Sequence, residues 1–115
     1  MLTTDLQLTE VFKTQHGAVY QSDADNCIYL DFNHKIACFR FACFQRLNKL
    51  VEQIDIAQMT QVDHPGIEII FLHGCSNCYV LTVPEVLALK ELLAGAFAMF
   101  QLNNIIQDCL YRLVV

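Results

Sequence analysis

The stretch IACFRFACFQRLNKLVEQI, residues 36–54, changes its period partway along. Ile36-Ala37-Cys38-Phe39-Arg40-Phe41 reads as a strand. From Ala42 onward Phe44, Leu47, Leu50, Val51 and Ile54 fall at i, i+3, i+6, i+7 and i+10. Gln45, Arg46, Asn48, Lys49, Glu52 and Gln53 lie between them. This is a strand running into an amphipathic helix with one buried stripe.

Upstream, Asn33-His34-Lys35 is a tight turn and Cys27 to Phe32 a strand. Ala18-Val19-Tyr20 and Val11-Phe12 are further strand pieces. His16-Gly17 and Asp23-Ala24-Asp25-Asn26 supply turn chemistry between them. The expected product is an antiparallel meander behind a polar lead-in over residues 1–9. Downstream, Gln58 to Pro65 is a polar loop, Ile67 to Leu72 a strand, His73 to Asn77 a turn and Cys78 to Val83 a strand. Thr82-x-x-Glu85 matches a capping box, and Pro84 suits a first helical turn. The last helix runs from about Pro84 towards Arg112.

The two halves rhyme. A shift of 42 residues lays Phe39 on Leu81, and Phe44, Leu47, Leu50 and Val51 on Val86, Leu89, Leu92 and Leu93. The expectation is a single α+β domain over residues 1–115. It has an antiparallel sheet of four to five strands with two helices on one face, as a ββα unit repeated over about 27–57 and 67–113.

Composition narrows the function. The chain has 55% hydrophobic but only 17% charged residues and a net charge of −5. It is too apolar to be disordered. Its seven basic residues are scattered, which disfavours nucleic acid as a partner. The N-terminus lacks a basic leader, and the most apolar run, Leu92 to Phe100, is far short of the ~20 residues a bilayer span needs. A cytoplasmic protein with reduced thiols and no membrane partner is expected.

That apolar run is also the charge deficit. A helix lying on a sheet keeps one wet side, and this one has apolar residues all round. It is a central core element, or it breaks near Asn103, or it packs on its own sheet and on a second copy. Ala94, Gly95, Ala96 and Ala98 would let two helices approach closely. The low charge favours the second reading, a homodimer with Leu93, Ala96, Phe97 and Phe100 in its interface.

One motif carries chemistry: Cys75-Ser76-Asn77-Cys78, preceded by His73. A C-x-x-C turn gives zinc two ligands, and His73 offers a third. At the rhyming positions stand Asn33 and Ile36, so the second knuckle of a zinc ribbon is absent. A fourth ligand would come from Cys27, His16, His34, Cys109 or a second copy. Redox chemistry wants the motif opening a helix, and here a strand intervenes. The bland alternative is two unreactive cysteines at a hairpin turn. There is no G-x-S-x-G and no Gly-rich phosphate loop, so an enzyme is not expected. Asp23, Asp25 and Asp31 read as a solvated hairpin, and Tyr20, Tyr29 and Tyr79 as strand packing on a sheet face.

Leu30-x-Phe32-Asn33 followed by Phe44-x-x-Leu47 resembles, over about residues 17–51, a bacterial family of small uncharacterised proteins. The resemblance implies a strand, a second strand and a helix with an aromatic near its start. That family often carries a C-x-x-C pair ahead of the first strand. The matching places here, near Ser22 and Asp25, are not cysteine, so no metal role carries over. The family has no established activity, and the resemblance implies none. The expectation is a small non-enzymatic domain working by self-association and without a cofactor. The competing class is a zinc or thiol-redox protein centred on Cys75, Cys78 and His73.

Overall fold

The computed structural model describes residues 8–72 and 78–114; for Asp108 and residues 111–114 only the backbone is described. Four strands follow one another: β1 (Leu8–Thr14), β2 (Gly17–Ser22), β3 (Cys27–Phe32) and β4 (Lys35–Phe39). Helix α1 (Phe41–Glu52) and a four-residue helix α2 (Ile56–Met59) come next. Strands β5 (Ile67–Phe71) and β6 (Cys78–Thr82) then lead into α3 (Val83–Val114), an unbroken helix of 32 residues. The fold is α+β. Among the described residues the six strands form two antiparallel sheets, β1-β2-β3-β4 and β5-β6. The second hairpin does not extend the first sheet as the simplest reading of the sequence supposed.

The four-stranded meander follows from its turns. Two-residue loops join β1 to β2 and β3 to β4, and a four-residue loop joins β2 to β3. Asn33 and His34, between the paired Phe32 and Lys35, have φ of 59° and 62°. Two successive left-handed residues match the right-handed twist of the flanking strands. The ladder places Val19 opposite Leu30 and Leu30 opposite Ala37. These residues, with Ile28, Phe32 and Phe39, form the buried inner face.

Both helices lie on that inner face. Phe44, Leu47 and Val51 of α1 are buried as the periodicity predicts, whereas Leu50 is 38% exposed at the margin of the stripe. Val86, Leu89, Leu92, Leu93 and Ala96 of α3 are wholly buried. Phe12 of β1 presses its ring onto Gly95, where any Cβ would overlap it. The small residue at 95 therefore admits a strand residue of the same chain. The predicted capping box forms in part: Glu85 Oε1 accepts the Thr82 backbone N–H at 2.8 Å and its hydroxyl at 3.2 Å. The loop expected over Gln58 to Pro65 begins inside α2, whose N-cap Asp55 accepts from the Gln58 N–H.

The β5-β6 hairpin rests on α3 through Ile70, Tyr79 and Leu81. Lys35 Nζ ties it to β4, donating to the Cys78 carbonyl at 3.1 Å and lying 4.5 Å above the Tyr79 ring centroid. The Tyr79 ring is buried, its hydroxyl has no hydrogen-bond partner among the described residues, and burial pushes its pKa up to about 12.

Three stability measurements test this packing. His34→Gly relieves a left-handed conformation that favours glycine, and it should raise stability in urea unfolding by about 1 kcal/mol. Gly95→Ala gains ~1 kcal/mol of helix propensity but overpacks Phe12 at a cost of ~1–3 kcal/mol, so a net loss is expected. Tyr79→Phe keeps the ring under Lys35 and removes an unpartnered buried hydroxyl. Its unfolding free energy should hold or rise by up to ~1 kcal/mol, and a marked fall would show that the hydroxyl is satisfied.

Candidate functional site

His73 and Cys75 lie outside the described residues. Cys78 opens β6 with its side chain exposed and its carbonyl taken by Lys35. Leu93 and Ala96 have no surface to offer a second copy, since both are fully buried in the chain's own core. Phe97 and Phe100 are half-buried in a cluster of aromatic rings supplied by α1. Phe97 stacks on Phe44 with centroids 5.2 Å apart, and Phe100 meets Phe41 edge-on at 5.4 Å. Within the chain, Phe12, Phe41 and Phe44 lie against the apolar middle of α3, so that of the residues expected in an interface Leu93 and Ala96 are buried and Phe97 and Phe100 keep part of their surface.

Exposed apolar surface lies elsewhere among the described residues. Side chains alternate across a strand, so the face of β5-β6 turned away from α3 carries Ile67, Ile69, Phe71, Cys78, Val80 and Thr82. Ile69 is 67% exposed, Phe71 58% and Val80 56%, and no charged residue interrupts them. Further along α3, Leu102, Ile105, Ile106 and Leu110 are exposed at helical spacing. The helix is about 48 Å long at 1.5 Å per residue. The chain measures 59 × 36 × 29 Å, so the end of α3 overhangs the body.

The outer face of the four-stranded sheet holds a second kind of site. The row Tyr20–Tyr29–Cys38 crosses β2, β3 and β4, and Ser22 stands opposite Cys27. Asp25 sits in the β2–β3 loop, closed by Asn26 at φ 57°. A carboxylate oxygen of Asp25 and the Sγ atoms of Cys27 and Cys38 all lie within 4.8 Å of one another. Tyr29 Oη donates to Asp25 Oδ2 at 2.7 Å, and Cys27 Sγ donates to the Asp25 carbonyl at 3.4 Å.

These contacts set the electrostatics. The Tyr29 hydrogen bond, then the Ser22 hydroxyl beside it, hold the Asp25 carboxyl below its ordinary value. The same bond pushes the Tyr29 phenol up, because ionising it would face a carboxylate. Loss of solvent pushes the Cys27 thiol up, reinforced by its hydrogen bond to Cys38; Arg40 pulls it the other way. Ser22 is fully buried, and its Oγ completes no hydrogen bond of ordinary geometry among the described residues. Asp25 and Cys27 open onto a cleft of about 820 Å³ that Arg40, Phe41, Phe100 and Asn104 also line.

Of the ligands considered for the His73–Cys78 motif, only Cys27 belongs to this group. Cys38 reads in sequence as one more apolar strand residue. Tyr20 and Tyr29 do share a sheet face, as expected, while Tyr79 belongs to the other hairpin. Among the described residues, no helix is long and apolar enough to cross a membrane. Compared with known proteins, the chain matches no family model, no curated protein and no solved structure.

Proposed function

We propose that the protein is a small non-enzymatic domain that works by self-association, as a twofold homodimer joined through the β5-β6 hairpin. The observation that carries this reading is the outer face of the hairpin. Two-stranded sheets are marginal alone and need both an apolar support and protected edges. Here α3 supports one face only. The run Ile67-Glu68-Ile69-Ile70-Phe71-Leu72 has the near-continuous apolar character of a strand covered on both sides.

A second copy is the fitting occupant on two counts. Among the described residues β5 pairs only with β6, so its other edge is open to an antiparallel copy of itself. The exposed face also carries no charge, so two copies of a chain with net charge −5 can meet there without like charges in contact. Such a contact is isologous and closes after two copies. Ile69, Phe71 and Val80 are each more than half exposed on this one face, and contiguous apolar patches on soluble proteins commonly mark binding surfaces.

Light scattering on a size-exclusion peak should give twice the chain mass at micromolar concentration. Ile69→Lys, at a position 67% exposed, should give a monomer with unchanged far-ultraviolet circular dichroism. Ile105→Lys on the overhanging helix should stay dimeric. A monomeric wild-type protein would sink the reading, and dissociation by Ile105→Lys alone would move the interface to α3.

A further inference from the structure

We infer that Asp25, Cys27 and Cys38 form a binding site for a thiophilic divalent cation of the zinc type, on the outer face of the four-stranded sheet. The inference is independent of the dimer and of the His73–Cys78 motif. It starts from the donor set. Two thiolates and a carboxylate are ligands that zinc and its spectroscopic substitutes prefer, and a fourth position is left for water.

The spacing agrees. Around tetrahedral zinc, with Zn–S near ~2.3 Å and Zn–O near ~2.0–2.2 Å, neighbouring donors stand roughly 3.5–4 Å apart. The three donor atoms already lie within 4.8 Å of one another. Closing them to that distance asks for shifts on the order of 1 Å. Cys27 and Cys38 reach each other diagonally, because Cys38 pairs with Tyr29, two residues beyond Cys27.

The surroundings orient the ligands. Tyr29 occupies Asp25 Oδ2 and leaves the other carboxylate oxygen to a metal; such a bond to a ligating carboxylate fixes its direction. The Ser22 hydroxyl is fully buried beside Asp25 and across the ladder from Cys27, where it faces the same carboxylate. Binding is a simple exchange: each thiol loses its proton to solvent as its sulfur bonds the metal, so two protons leave per ion and no electrons move.

Cobalt(II) is the probe, titrated into the full reduced chain with release of the ion by zinc. We expect one cobalt per chain with sulfur-to-metal charge-transfer absorption. The signal should persist in the Cys75→Ser/Cys78→Ser variant and vanish in Cys27→Ser and in Cys38→Ser. Asp25→Asn should weaken binding by about tenfold or more, and Tyr29→Phe by less. Differential alkylation of the wild-type chain provides a check that needs no variant to fold: zinc should protect Cys27 and Cys38 together. No stoichiometric uptake, uptake lost only in the Cys75→Ser/Cys78→Ser variant, or no protection of Cys27 and Cys38 would each overturn the site.

Discussion

No backbone ladder joins the two sheets among the described residues; α3 joins them. Its buried stripe, Val86 to Ala96, touches β1 and β2 on one side, β5 and β6 on another, and α1 alongside. Strands β3 and β4 meet α1 instead, which itself packs on this helix. Three sides of its middle are apolar because they answer three surfaces of its own chain, while Ala94 and Ala98 stay exposed. Lys35 adds the one described polar tie between the hairpin and β4, a single charged hydrogen bond over an aromatic face. It fixes the hairpin's position, while apolar burial on α3 supplies most of the holding energy.

What could be read from residues alone divides along the range of the interactions. The change of period at Ala42, the tight turn at Asn33-His34 and the cap at Thr82-x-x-Glu85 are local, and each stands where it reads. Asp55 and Gln58, three apart, were a readable cap for α2 as well. The long-range meetings were not legible. Phe97 and Phe100 looked free for a partner because nothing local shows that Phe41 and Phe44 would lie against them. Gly95 looked like a seat for a second helix until β1 brought Phe12 onto it.

The candidate cation site shows the same limit more sharply. Asp25 and Cys27 are neighbours in sequence, but Cys38 joins them only through the β3-β4 register. A shift of one residue in that pairing would turn Cys38 to the inner face and remove the site. Metal motifs are recognised when their ligands cluster on one turn, as at Cys75 to Cys78. A site spread diagonally over adjacent strands leaves no such spacing. The apolar face of β5 is the converse case: Ile67 to Leu72 shows its double-sided character openly, while the structure shows which side α3 covers.

The order of elements along the chain has a consequence for how the protein is made. Strands β1 to β4 pair through loops of two to four residues, so the meander can form from local contacts soon after it leaves the ribosome. Its inner face then has only α1 to cover it. The seat for Phe12 arrives with Gly95, and the hairpin's support with Val86 and Leu89, well after the meander has been made. A half-built chain thus presents Val19, Leu30 and Phe32 to its surroundings until the last helix swings in. The interval before α3 docks is when this protein most needs shelter from aggregation.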